Sequence, residues 1–164
     1  VVRTMLGDVE AQGSLHVYSA TPLAIDSRTR NLGPTGTYGD SLKGLRSGDL
    51  LHAGQTGSLE LLESSETFRT NIGFANLAAA DATVELTLHE IVDGRPVAVA
   101  STRYTVPAMR TVQANKVFEA LGASPAQPAK ASVRVLAGGP IYAYASKVDN
   151  ATGDPTNIVA VPVR

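Results

Sequence analysis

Thr83-Val84-Glu85-Leu86-Thr87-Leu88-His89 alternates apolar and polar residues with a period of two. Successive side chains of an extended chain point to opposite faces, so Val84, Leu86 and Leu88 share a buried face while Glu85, Thr87 and His89 meet solvent. The segment therefore predicts a half-buried strand. Asp93-Gly94, followed by Arg95-Pro96, separates it from a second β-prone run over 97–106. Asp-Gly adopts positive φ at little cost, so the two runs predict a β-hairpin. Working outward, strands are expected at 14–19, 23–30, 58–62, 68–76, 111–114, 131–136, 141–148 and 157–163. Two stretches read as helical, 1–6 and 116–121, each ending at a glycine, Gly7 and Gly122. Many short strands between Gly, Pro, Asn and Asp turns predict an antiparallel sandwich. The Gly/Ser-rich span 33–57 has little periodicity and reads as a long loop or connector.

The chain has 164 residues, enough for one large or two small domains with a substantial core. Its formal charge is -1, from 14 basic and 15 acidic residues spread without blocks. That distribution gives no electrostatic footprint for nucleic acid or an anionic membrane. Cysteine is absent, which excludes disulfides, thiolate metal sites and thiol nucleophiles. No apolar run approaches the ~20 residues that cross a bilayer, so membrane insertion is not expected. A basic segment followed by an apolar stretch is missing from the N-terminus, so an export signal would lie outside this chain.

The chain also resembles itself. Ser14-Leu-His-Val-Tyr-Ser-Ala-Thr-Pro22-Leu23 lies over Ser132-Val-Arg-Val-Leu-Ala-Gly-Gly-Pro140-Ile141. With one residue slipped, Ser27-Arg28 matches Ser146-Lys147 and Asn31 matches Asn150, while Val2 to Gly7 matches Val117 to Gly122. The order helix, strand, Pro turn, strand, Asn loop occurs twice, which implies tandem modules with the first lacking its opening strands. By analogy with residues 68–114, roughly 50 residues are expected upstream of Val1. A sandwich without them leaves apolar faces and strand edges to be covered.

Several stretches together resemble one family: Asp26-Ser27-Arg28-Thr29-Arg30-Asn31, Gly36-Thr37-Tyr38-Gly39, Phe68-Arg69-Thr70-Asn71-Ile72-Gly73-Phe74-Ala75-Asn76, and Tyr144-Ala145-Ser146-Lys147-Val148-Asp149-Asn150-Ala151-Thr152-Gly153-Asp154-Pro155. They look like the tandem Ig-like β-sandwich modules of large, mostly uncharacterised secreted bacterial proteins. The resemblance covers nearly the whole chain. It implies an extracellular or cell-surface location and a non-catalytic module, and it carries no catalytic residue over.

Candidate chemistry is sparse. His16, His52 and His89 form neither an H-x-H nor an H-x-x-x-H pair that would offer two imidazoles to one metal. His16 and His89 sit on polar strand faces and are expected to meet solvent. No G-x-S-x-G elbow marks a serine nucleophile. The loop 149–154 offers Asp149, Asn150 and Asp154 as oxygen ligands of the kind Ca²⁺ takes. The other reading is an Asx turn, in which the side chains bond the local backbone. The register favours the turn, because the aligned first copy keeps Asn31 and Thr35-Gly36 but has neither acid. Asn150-Ala151-Thr152 also fits the N-glycosylation sequon. Phe68 and Ile72 are expected to face inward, with Arg69 pairing locally. With no Trp and 5% aromatic residues, the flat platforms that sugars favour are scarce. The Gly-rich stretches lack the Lys-Ser/Thr ending of a phosphate loop.

The sequence thus predicts an all-β chain of Ig-like sandwich modules in tandem, with one short helix in each. Residues 1–57 would be the C-terminal part of a first, incomplete module plus connector, and 58–164 a complete sandwich. Val84, Leu86, Leu88, Tyr104, Val106, Val117, Phe118, Leu121, Val133, Val135, Ile141 and Ala143 should supply much of the second core. The expected function is non-catalytic, structural or adhesive, with no cofactor. Expected partners are proteins, copies of the chain or neighbouring modules, met through strand edges and assembling head to tail into a fibre by strand complementation. The alternative is an accessory module of a secreted hydrolase that binds glycan or calcium.

Overall fold

The computed structural model describes residues 15–29, 31–33, 36–124 and 128–163. The helix expected over 1–6, and with it the match of Val2 to Gly7, lies outside them. From Leu50 onward the chain builds two antiparallel sheets around one core. The strands are β5 (Thr56–Leu62), β6 (Phe68–Asn76), β7 (Ala82–Val92), β8 (Arg95–Val106), β9 (Thr111–Ala114), β10 (Ala129–Ala137), β11 (Ile141–Asp149), β12 (Pro155–Val159) and β13 (Val161–Pro162). One sheet has the order β13-β5-β10-β7-β8 and the other β12-β11-β6-β9. Ahead of them lies one interrupted hairpin, paired in two stretches of the same register. In one, β1 (Asp26–Arg28) pairs with β4 (Ser41–Lys43); in the other, β2 (Asn31–Gly33) pairs with β3 (Gly36–Tyr38).

The alternation that opens the sequence reading sets the core. Val84, Leu86 and Leu88 of β7 and Ala131, Val133 and Val135 of β10 are fully buried, and they face Ile72 and Phe74 of β6 and Ile141 and Ala145 of β11. Phe74 meets the ring of Tyr104 on β8, in the opposite sheet, with centroids 5.3 Å apart. The Asp93-Gly94 hairpin forms as predicted, both residues at positive φ (50° and 74°) and Val92 paired with Arg95. That is the pattern of a two-residue I′ turn. Pro96 is accommodated because β8 is an edge strand, where a missing N–H need not break a ladder. The short helix α1 (Val117–Ala120) buries Val117 and Phe118 against the core and ends at Gly122, φ 66°.

Three expectations change. Residues 15–19 form no strand, although their alternation matches β10. β10 is held between β5 and β7, and no described strand flanks residues 15–19, so Leu15, Val17 and Tyr18 stay exposed. The span 33–57 is more ordered than a loop: it holds β3, β4 and a 3-10 turn at Ser47–Asp49, and it delivers Leu50 and Leu51 into the packed unit. Leu51 and Ile141 exchange backbone hydrogen bonds of 2.9 and 2.8 Å. The strand expected over 157–163 is two strands in different sheets. Between them lies buried Ala160, whose N–H donates to the Ala143 carbonyl at 3.0 Å.

Candidate functional site

The connection from β11 to β12 carries the three residues considered as calcium ligands. Asp149 Oδ1 accepts the N–H groups of Ala151 (2.8 Å) and Thr152 (2.9 Å), and Thr152 Oγ1 accepts the Asp154 N–H at 3.1 Å. These backbone donors, Thr152 first, hold the Asp149 carboxyl below its ordinary range. Asn150 faces elsewhere. Its Oδ1 accepts from the Arg69 guanidinium at 2.8 Å, and its Nδ2 donates to the Glu66 carbonyl at 2.9 Å, tying the loop to the start of β6. Asp154 Oδ1 accepts the Gly39 N–H at 3.2 Å. The loop has Asx-turn geometry, and its three side chains bond three different parts of the chain. Among the described residues, no three His, Asp or Glu side chains converge as a metal group.

His89 departs from the expected solvent-facing position. It is half-buried on the outer face of the five-stranded sheet, where Nε2 lies 3.0 Å from Ser132 Oγ and buried Nδ1 has no hydrogen-bond partner among the described residues. Lys130 pairs with Glu60 at 3.2 Å, and Ser58 also donates to Glu60. Ser132 and His89 thus touch as the first two members of a triad would, and among the described residues no carboxylate meets Nδ1 to orient the ring, as a triad requires. Burial, and secondarily the Lys130 charge, depress the His89 pKa, against an opposing pull from Glu60. The folded state thus favours neutral imidazole. Stability from this group is complete above the ordinary imidazole value of about 6.5 and is lost as pH falls below it. Urea midpoints measured between pH 8 and pH 5 should decline in that window, and His89→Gln should flatten this part of the decline. An unchanged slope in His89→Gln would remove His89 as its source.

The four-stranded sheet shows a different surface. Tyr142 and Tyr144 alternate with inward-facing Ile141, Ala143 and Ala145 and stack on the outer face, ring centroids 5.3 Å apart and planes 19° apart. Tyr144 lies across Gly73: a Cβ at Gly73 would stand 2.2 Å from the ring. Its hydroxyl donates to Gln113 Oε1 at 2.8 Å. The strand register of Tyr144 with Gly73 makes room for the ring, a pairing that composition alone does not reveal.

The remaining surface feature is the free side of β8. This strand is 12 residues long and ends the five-stranded sheet, paired only with β7 among the described residues. Val97 and Val99 are 44% and 37% exposed. A bulge sits here, because Leu88 pairs with Ala100 and His89 with Ala98, leaving Val99 unpaired.

The fold defines an all-β protein of antiparallel sheets. No family model matches the chain, and no curated protein matches it. Among solved structures, that of Thermotoga maritima 1070 is similar over 69% of this chain and 96% of that chain, with 12% identity and a TM-score of 0.49.

Proposed function

We propose that the chain is a non-catalytic structural or adhesive part of a secreted bacterial protein, built from Ig-like β-sandwich modules in tandem that join through strand edges. The observation that carries this reading is β8, a long edge with an unpaired side and exposed valines. Such an edge offers main-chain groups to an added strand; Pro96 and the bulge at Val99 blunt only its hairpin end, and residues 100–106 run on without a break in register. The tandem arrangement has support of its own. Ser27 aligns with Ser146; Ser27 pairs with Leu42 in β1–β4 as Ser146 pairs with Asn157 in β11–β12. In both, the aligned serine lies in a strand with an antiparallel partner that follows it in the chain, across 15 residues in the first and 11 in the second. Exposed Leu15, Val17, Tyr18 and Leu23 match strands that in the second copy are flanked on both sides. They are the surface that a completing strand, from a neighbouring module or another copy, would cover.

The test is self-association of the whole chain measured by light scattering across a concentration series. Wild type should associate reversibly. Val97→Lys with Val99→Lys should abolish association while leaving the circular dichroism unchanged, since charges on an edge block edge-to-edge pairing. A wild type that stays monomeric to millimolar concentration, or a charged edge variant that associates as before, overturns the assignment of β8.

A further inference from the structure

Tyr142, whose ring stacks on Tyr144, lines a groove. Tyr142, Asn157 and Val159 form its floor, and Leu42, Lys43 and Asp49 form the wall that faces them. We propose that this groove binds a neutral oligosaccharide, with one pyranose ring laid against Tyr142. The proposal stands apart from the edge reading, because the groove is lined from β4, β11, β12 and β13, and β13 and β8 are opposite edges of the five-stranded sheet.

The chemistry follows from the lining. One face of a pyranose presents C–H groups and its rim presents hydroxyls, so it needs a flat apolar ring beside short polar groups. A tyrosine offers both an apolar body and a polar tip. Tyr144, seated on Gly73 and tethered to Gln113, backs Tyr142 and fixes its plane. A ring held in place before binding loses little freedom on contact. The Asn157 side chain hydrogen-bonds the Tyr142 hydroxyl, and its backbone N–H bonds Asp40 Oδ2, so a polar cluster stands at the rim of the ring. The wall carries one cation and one anion, Lys43 and Asp49, so the groove favours neither sign of ligand. Burial raises both tyrosine pKa values, which keeps the aromatic face uncharged at neutral pH. A polyproline ligand would need aromatic ridges separated by slots. Here the two rings stack into one patch.

The test titrates the whole chain with cellohexaose, maltohexaose and N-acetylchitohexaose. It is read by backbone amide NMR shifts and by tyrosine fluorescence, which no tryptophan masks. At least one sugar should give saturable shifts centred on Gly73, Tyr142 and Asn157. Tyr142→Ala should weaken it about tenfold or more, as loss of an aromatic anchor does, while Tyr142→Phe keeps it within about threefold. Gly73→Ala, which displaces Tyr144, should also weaken binding. The double lysine change on β8 should leave the shifts intact, so this proposal and the edge assignment fail separately. The proposal is overturned if none of the sugars gives a saturable shift, if folded Tyr142→Ala binds as wild type does, or if decaproline alone binds at Tyr142.

Discussion

Phe74→Ala is expected to lower stability by about 3–5 kcal/mol, read as a drop in the urea midpoint with an unchanged slope. Phe74 is wholly buried in the middle of β6, the largest ring between the two sheets, and it meets Tyr104 from the opposite sheet. Its ladder neighbours are Ala143 on β11 and Val112 on β9, small side chains that cannot swing into the space left by a deleted ring. The cost is therefore the lost transfer of the ring plus a cavity that stays open. Domains of this kind are marginally stable, by about 5–15 kcal/mol, so the variant should be substantially unfolded on modest heating. Tyr104→Phe keeps the ring contact and should cost much less. A Phe74→Ala loss below about 1 kcal/mol would mean that the sheets do not meet at this position.

Asn76→Ala should cost about 1–3 kcal/mol, an effect produced by a polar residue inside an apolar core. Asn76 is 1% exposed. Its Nδ2 donates to the carbonyls of Ala80 (2.8 Å), Val106 (3.0 Å) and Pro107 (3.3 Å), and its Oδ1 accepts the Ala78 N–H at 3.0 Å. One side chain thereby satisfies the backbone of two crossings, the turn after β6 and the exit of β8. Truncation leaves the buried Val106 carbonyl without its partner and breaks the bonds that hold the two turns, which is worse than losing a surface hydrogen bond. Asn76→Asp separates this account from simple packing. It keeps the shape, but an ionised carboxylate cannot donate to carbonyls, so near neutral pH it should cost at least as much as alanine. Thermal melts of the two variants make the comparison, and a near-neutral Asn76→Asp would refute the donor role.

These two residues mark where the sequence was legible and where it was not. Period-two alternation located β7 and the inward row of β10, and Asp93-Gly94 gave the hairpin, because both signals are local. The second half of β6, Gly73-Phe74-Ala75-Asn76, does not alternate in hydrophobicity, yet all four residues are buried. A polar Asn between apolar neighbours reads as outward until its partners, 2 to 31 residues away, are known. The tyrosine pair was half visible. Tyr-Ala-Tyr places both rings on one face, but their stacking depends on Gly73 standing opposite Tyr144 in the ladder. The loop 149–154 was read as either an ion loop or a turn, and its bonds to Arg69 and Gly39 come from distant parts of the chain. The failure at 15–19 has a physical cause as well: alternation states which face is apolar but not whether neighbours exist to cover it.

The crossing at Ala160 has a mechanical consequence. The chain enters the packed unit at Leu50 and Leu51, begins β5 at Thr56, and leaves it through β13, whose Pro162 pairs with Gly57 and beyond which the Val163 N–H donates to the Thr56 carbonyl. Entry and exit are thus side by side on antiparallel strands rather than at opposite ends of the unit. Tension applied across them loads the Leu51–Ile141 bridge on the entry side and, on the exit side, the short β13–β5 ladder, which peels one bond at a time instead of shearing many bonds together. Once β13 has come away, Ala160 and β12 still hold the four-stranded sheet, while β5 is left with a bare flank. A pull on the exit side of such a unit would bare a strand edge before it unfolded the core.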